Sequence, residues 1–215
     1  MKIKAVIFDM DGVLIDSEIT YIRLWQKFLA EQGVSASIGD LRVLAGCSRD
    51  MENEFLSGIL HRSIEEIEEM KLSFYSRHPI NYKSIQKPFT KELLSYLKEK
   101  DITIALASSS PLDNIEEVLR QCDLTDFFSI IVSGEQFERT KPDPQIYEYT
   151  VQQLGVSKEE IIVVEDSEYG IQAASAAGLY VFALLDPILQ FDVSKASVAI
   201  QSLQEVIHMI ERGNQ

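Results

Sequence analysis

A short apolar segment that runs straight into two aspartates constrains this chain more than any other feature. Ala5–Phe8 is wholly apolar and very short, which predicts a buried strand of a parallel sheet. Asp9 and Asp11 follow at its carboxyl end, where open α/β sheets place their ligands. Alternate residues of an extended segment point the same way, so both carboxylates face one site. Carboxylates this close repel each other unless a cation or a shared proton intervenes, which predicts a metal ion, a nucleophile beside an acid/base group, or both.

Two kinds of hydrophobic periodicity divide the rest of the chain. Helical periodicity dominates residues 17–80, where no strand pattern interrupts it. The helices predicted there cover 18–32 and stretches near 39–45, 50–60 and 63–77. From Lys91 onward helices and apolar strands alternate. The predicted strands are 102–107, 130–132, 161–164, 180–184 and 198–200.

This alternation predicts an α/β fold with a doubly wound parallel sheet. The first strand belongs to the same sheet, so the helical stretch is an insertion after it. We therefore expect an α/β core of residues 1–16 and 84–215, and a small helical domain of residues 17–83. An insertion at the carboxyl end of a strand is placed to act as a lid over the ligand crevice.

Further polar residues stand where the other predicted strands end or a helix begins. They are Ser108, Ser109, Ser110, Lys141, Glu165 and Asp166. Taken alone, each has an ordinary explanation as a turn residue, a helix-entry residue or a solvated lysine. The carboxyl ends of parallel strands meet at one edge, however, so we expect Asp9, Asp11, Ser108 and Asp166 to be neighbours. Agreement across so many positions favours a functional site.

These residue types suit phosphoryl transfer, which needs positioning and charge neutralisation. Mg2+ prefers oxygen ligands, which Asp9, Asp166 and the Asp11 backbone carbonyl could supply. Asp9 could attack phosphorus to form an aspartyl phosphate, while Asp11 could protonate the leaving oxygen and then activate water. The residues expected to bind the phosphoryl oxygens are Ser108, Ser109 and Lys141. Glu165 would lie behind them and orient either Lys141 or a metal-bound water.

Composition and charge limit the kinds of partner that this chain can bind. The 215 residues include 20 Lys and Arg against 34 Asp and Glu, a formal net charge of −14, which opposes binding to nucleic acid or anionic membranes. Cys47 and Cys122 are far apart and form no disulfide framework, and no signal peptide or membrane span is expected. We therefore expect a cytoplasmic monomer that acts on a small phosphorylated metabolite.

The motifs, taken in order, resemble those of the haloacid dehalogenase superfamily of phosphotransferases. The matching positions are Asp9-Met10-Asp11-Gly12-Val13, Ser108, Lys141 and Glu165-Asp166. The resemblance implies a Rossmann-like sheet with a small α-helical cap, Mg2+ as cofactor and an aspartyl phosphate on Asp9. The dehalogenase members lack the second aspartate, so Asp11 argues for phosphate chemistry.

Within that superfamily the chain resembles the β-phosphoglucomutase-like group. The segment Gly46-Cys47-Ser48-Arg49 is similar to the group's substrate-specificity loop, which implies that Arg49 contacts a phosphate or another polar part of the substrate. Without the resemblance, Arg49 could equally be a surface arginine at a helix start.

Three positions depart from the authentic mutases. Tyr21, Ala45 and Pro111 stand where the mutases carry a histidine and two lysines, and a mutase must hold a bisphosphate at both ends. The segment 109–112 instead resembles phosphatases of sugar and polyol phosphates. We therefore expect a phosphatase. The alternatives are a mutase that converts β-glucose 1-phosphate to glucose 6-phosphate and, less favoured, a non-enzymatic phospho-accepting signalling module.

Overall fold

The computed structural model describes residues 2–47 and 49–213. They form two compact units: an α/β unit, which runs to Asp16 and resumes at Tyr82, and a helical unit, Ser17–Asn81. Every helix within the described residues is too short or too polar to cross a bilayer.

The helical unit ends two residues before the predicted boundary at residue 83. Tyr82 belongs to the α/β unit because its N–H donates to Gln121 Oε1 at 3.0 Å and its hydroxyl donates to Asn114 Oδ1 at 2.9 Å. The Lys83 ammonium likewise bonds Asp123 Oδ2 at 2.7 Å. These bonds join residues that are far apart in sequence, and a local pattern does not reveal them.

A parallel sheet forms the centre of the α/β unit. Its strands are β1 (Ala5–Phe8), β2 (Thr103–Ser108), β3 (Ile130–Ser133), β4 (Ile161–Glu165), β5 (Tyr180–Leu184) and β6 (Val198–Ile200). They lie in the order β3-β2-β1-β4-β5-β6, which confirms the doubly wound α/β fold. Phe8 pairs with Leu106 and Val164, so Asp9 emerges between β2 and β4. Strand order reverses at β1, and such switch points are where these sheets bind ligands.

The helical unit is built from the first four helices. They are α1 (Ser17–Glu31), α2 (Ile38–Leu41), α3 (Arg49–Leu60) and α4 (Ile64–Arg77). Helix α2 is shorter than predicted because a 3-10 turn, Arg42–Leu44, follows it. A capping box starts α4: the Ser63 hydroxyl accepts from the Glu66 N–H, and the Glu66 carboxylate accepts from the Ser63 N–H. The buried rings of Phe28 and Phe74 meet edge to face at 5.4 Å in the interior.

Five further helices surround the sheet. They are α5 (Thr90–Glu99), α6 (Leu112–Gln121), α7 (Gln145–Leu154), α8 (Glu168–Ala176) and α9 (Leu203–Gly213). Helix α7 packs on β2 and β3, and α8 packs on β4 and β5. Their apolar faces join Ala5 and Ile7 of the sheet in one core, which also contains Tyr147 of α7 and Ile171 of α8. Helix α5 packs on β2 and contacts α9.

Candidate active site

The buried carboxylate of Asp9 is bonded by a buried lysine. The Lys141 ammonium donates to Asp9 Oδ1 at 2.6 Å, to Glu165 Oε1 at 2.7 Å and to the Ala107 carbonyl at 3.1 Å. An ammonium has three N–H donors, so these partners satisfy all of them. Lys141 thus links the ends of β1, β2 and β4.

Glu165 is fully buried and saturated with donors. Its Oε2 accepts from the backbone N–H groups of Asp166 and Ser167 at 3.0 and 3.2 Å, and from the Ser167 hydroxyl at 3.2 Å. The carboxylate occupies the space beside Gly170, where any Cβ atom would collide with it. Glu165 therefore has a fixed orientation from which it bonds Lys141.

Three carboxylates converge at the ends of β1 and β4. One oxygen each from Asp9, Glu165 and Asp166 lies within 4.8 Å of the others. Gly12, whose φ is +73°, gives Asp166 its room, since a Cβ there would collide with Asp166 Oδ2. Lys141 supplies one positive charge to this group, which leaves an excess of negative charge. An all-oxygen donor set with such an excess fits a divalent cation such as Mg2+.

The sequence predicts that Asp11 contributes its backbone carbonyl to this metal group, and its side-chain carboxylate contacts a serine instead. Ser110 Oγ donates to Asp11 Oδ2 at 2.7 Å, and the Ser110 N–H donates to Ser108 Oγ at 3.1 Å. The Ser133 hydroxyl holds the Ser110 carbonyl at 2.8 Å. Ser109 is partly buried in the same loop.

Sequence reasoning placed Ser110 at a strand end without giving it a role, and it passed over Tyr147. Ser110 carried a signal that could have found it, because it lies two residues after Ser108 and continues the alternation at the strand end. No sequence signal marked Tyr147 as functional, because its place on an apolar helix face is typical of a core residue. Its hydroxyl nevertheless donates to Glu165 Oε1 at 2.7 Å.

Burial and mutual repulsion shape the electrostatics. Burial raises the pKa of Asp9 to about 8 although the Lys141 ammonium opposes the shift, and the Glu165 and Asp11 carboxylates add to it. Burial disfavours the charge on Lys141, but Asp9 and Glu165 together raise its pKa well above the ordinary value. Lys141 therefore remains a cation, whereas Asp9 needs further positive charge to ionise fully at neutral pH.

Arg49 belongs to the helical unit, at the start of α3. It forms an ion pair with Glu68 at 3.2 Å, and 62% of its side chain is exposed. In the preceding loop the Gly46 N–H donates to Glu18 Oε2 at 3.2 Å. Ser48, part of the predicted specificity segment, lies outside the described residues.

The doubly wound sheet and the carboxylate, lysine and hydroxyl groups at its switch point define an α/β enzyme of the phosphotransferase or hydrolase class. A family model described as haloacid dehalogenase-like hydrolase matches residues 6–184. The chain belongs to this family, which confirms the resemblance that the sequence motifs indicate. A family of hydrolases gives no support to the non-enzymatic alternative.

Relatives within the family include both phosphatases and mutases. The chain is 35% identical to the phosphorylated carbohydrates phosphatase of Thermotoga maritima over 82% of each chain. It is 33% identical to hexitol phosphatase B of Escherichia coli strain K12 over 95% of each chain. It also matches a crystal structure of β-phosphoglucomutase from Clostridium difficile with a TM-score of 0.78 and 25% identity, covering 99% of this chain and 98% of the other.

Proposed function

We propose that this protein is a Mg2+-dependent phosphatase of a small sugar phosphate or a related phosphomonoester. The observation that carries the proposal is the buried Asp9 carboxylate, bonded by Lys141 at 2.6 Å and lying beside Asp166. A nucleophile and a fixed cation at this distance suit attack on an anionic phosphoryl group. The phosphatases among its relatives support the substrate class.

Asp9, Asp166 and the Asp11 backbone carbonyl would hold the Mg2+ ion. When bound, it would neutralise negative charge on the phosphoryl oxygens and on the carboxylates. Both Glu165 oxygens already accept hydrogen bonds from the protein, so Glu165 serves to orient Lys141.

Asp9 and Asp11 divide the chemistry between them. An Asp9 carboxylate oxygen attacks phosphorus, the bond from phosphorus to the alcohol oxygen breaks, and the Asp11 carboxyl group gives that oxygen its proton. The Asp11 carboxylate then takes a proton from water, whose oxygen attacks the aspartyl phosphate to release inorganic phosphate and restore Asp9. Ser108 and Ser109 bind the phosphoryl oxygens, and Lys141 joins them by exchanging one of its three present hydrogen bonds for a phosphoryl oxygen.

A mutase is the second candidate, favoured by the likeness to β-phosphoglucomutase. It would share the aspartyl phosphate but return the phosphoryl group to another hydroxyl of the sugar. Tyr21, Ala45 and Pro111 argue against it, because none offers a cation for the second phosphate.

One assay tests the proposal and separates the two candidates. Purified protein with Mg2+ is given a panel of phosphorylated metabolites, including β-glucose 1-phosphate with a trace of glucose 1,6-bisphosphate. Glucose 6-phosphate and inorganic phosphate are followed together, with Asp9→Ala as the control. Phosphate release that depends on Asp9 supports a phosphatase. Glucose 6-phosphate without phosphate establishes the mutase, and no product from any substrate refutes both.

The helical unit is proposed to act as the cap, with Arg49 as a substrate contact. The support is the likeness of its loop to the specificity segment and the cationic side chain at the start of α3. If Arg49 binds an anionic part of the substrate, Arg49→Ala raises KM more than it lowers kcat.

We further propose that the enzyme works as a monomer in the cytoplasm. Sedimentation of the purified protein and cell fractionation check these two points.

A further inference from the structure

Tyr147 contacts two members of the candidate site at once. Its side chain is fully buried in α7, and its hydroxyl donates to Glu165 Oε1 at 2.7 Å. The Lys141 ammonium also lies 5.0 Å from the centre of the Tyr147 ring, within range of a cation–π interaction. One aromatic residue thus touches both the lysine and the carboxylate that orients it.

The hydroxyl and the ammonium share an acceptor. Glu165 Oε1 accepts from Lys141 and from Tyr147, each at 2.7 Å. Lys141 is in turn divided between Glu165 Oε1 and Asp9 Oδ1, the latter at 2.6 Å. A second donor on Oε1 reduces the charge available there and weakens its attraction for the ammonium. In a buried site such a difference is large, because solvent screens it little.

Packing alone does not explain the hydroxyl. A phenylalanine would fill the same volume without a polar group to desolvate, and burying a hydroxyl costs free energy unless it is bonded. Burial raises the pKa of Tyr147 well above its ordinary value, and Glu165 adds to the shift, so the phenol stays a hydrogen-bond donor.

We propose that Tyr147 is a positioning residue whose hydroxyl sets how Lys141 is shared between Asp9 and Glu165. With the hydroxyl in place, Lys141 stays turned toward Asp9, where the phosphoryl group is received. Without it, Glu165 draws the ammonium away from Asp9. The inference rests on the proposed function, because that function assigns phosphoryl binding to Lys141.

Tyr147→Phe removes only the hydroxyl and keeps the ring against Lys141. Two matched controls lie on the same helix. Thr150→Val removes a buried hydroxyl that donates to the Ile146 carbonyl at 2.7 Å, outside the site. Tyr149→Phe removes a phenol from an exposed side chain. Each variant is measured for kcat, KM and thermal unfolding, and for binding of inorganic phosphate by calorimetry in the presence of Mg2+.

We expect Tyr147→Phe to lower kcat/KM about tenfold and to weaken phosphate binding about tenfold, the usual effect of losing one hydrogen bond to a charged group. Thr150→Val and Tyr149→Phe should leave both within about twofold. The proposal is overturned if Tyr147→Phe matches wild type, if Thr150→Val shows the same loss, or if the loss follows the fall in Tm across the variants.

Phosphate binding needs no turnover, so it keeps this inference separate from the proposed function. If wild type releases no phosphate from any substrate but Tyr147→Phe still weakens phosphate binding selectively, the phosphatase proposal fails and the positioning role stands. If wild type is active and Tyr147→Phe changes neither quantity, the phosphatase proposal stands and the positioning role is refuted.

Discussion

Lys141 of the α/β unit and Lys71 of the helical unit are the buried lysines of the described residues, with 7% and 8% of their surface exposed. The carboxylates around Lys141 carry more negative charge than its single positive charge can neutralise. It bonds Asp9 and Glu165, and Asp166 lies within the same group of carboxylates. Burial, helped by the neighbouring carboxylates, raises the pKa of Asp9, and the excess of negative charge leaves room for a further cation.

Lys71 stands among groups that balance it. Its ammonium contacts Glu52 Oε1 at 2.6 Å and Asn53 Oδ1 at 2.8 Å, one carboxylate and one neutral amide. Trp25 Nε1 also donates to Glu52 Oε1, at 3.0 Å. These bonds hold helices α1, α3 and α4 of the helical unit together. The difference suggests how to separate the two roles of a buried lysine. Lys141, whose surroundings keep a net negative charge, serves ligand binding and catalysis, whereas Lys71, whose surroundings are neutral overall, serves packing.

The largest expected effect comes from Asp9→Asn. It removes the nucleophile, so kcat should fall roughly 10,000-fold or more, as when a nucleophile is lost in other enzymes. The free energy of unfolding should stay the same or rise, because burial and neighbouring carboxylates disfavour a charged Asp9. Phosphate release and urea denaturation measure the two quantities. Retained activity, or a large loss of stability, would show that Asp9 is a structural residue like Glu52.

Lys71→Met should have the opposite effect: it should lower stability and leave activity nearly unchanged. It leaves Glu52 without its cation in a largely buried place, which costs about 3–5 kcal/mol of stability. In Lys71→Met combined with Glu52→Gln much of that loss should return, because no uncompensated charge remains. The kcat of the folded fraction, measured at low temperature, should stay within about threefold of wild type. A selective loss of kcat with stability intact would break the comparison.

Removal of Mg2+ should affect only the α/β site. Saturation at about 100 times Kd stabilises a protein by about 2.7 kcal/mol, so chelation should lower Tm as well as abolish activity. Protons compete with the metal for Asp9, whose pKa is about 8 without metal, so the Mg2+-induced rise in Tm should be larger at pH 8 than at pH 6. Asp166→Asn should abolish the rise, whereas Lys71→Met should keep it.

Ser110→Ala tests the contact that the sequence did not reveal. Loss of its bond to Asp11 should lower kcat about tenfold, because a hydrogen bond to a charged group is worth about 1.5–3 kcal/mol and part of it can be replaced by water. Ser133→Ala removes a hydroxyl that holds the same loop without touching Asp11, and it should cost less. Steady-state kinetics of both variants decide the point, and an equal loss would assign the effect to the loop as a whole.

Sequence periodicity predicted the sheet because each strand is a short apolar run and each helix repeats its apolar face. The parallel strands then bring Asp9, Glu165 and Asp166 to one edge without further information. Contacts that depend on side-chain direction could not be predicted from the sequence. Which helix residue faces Glu165, and which hydroxyl meets Asp11, follow from packing between segments far apart in sequence, as Tyr147 and Ser110 show.

The smallest expected effect concerns the exposed pair between Arg49 and Glu68. Exposed ion pairs contribute about 0.2–1 kcal/mol, so Glu68→Gln should change the free energy of unfolding by less than about 1 kcal/mol. Glu68 also accepts from the Asn53 amide at 3.1 Å, a bond that glutamine can keep through its own oxygen. If Arg49 binds an anionic substrate, Glu68 competes with that substrate, and Glu68→Gln should lower KM a few-fold at constant kcat. An unchanged KM in Glu68→Gln, together with an unchanged KM in Arg49→Ala, would place Arg49 with Lys71 among the residues that only hold the helical unit together.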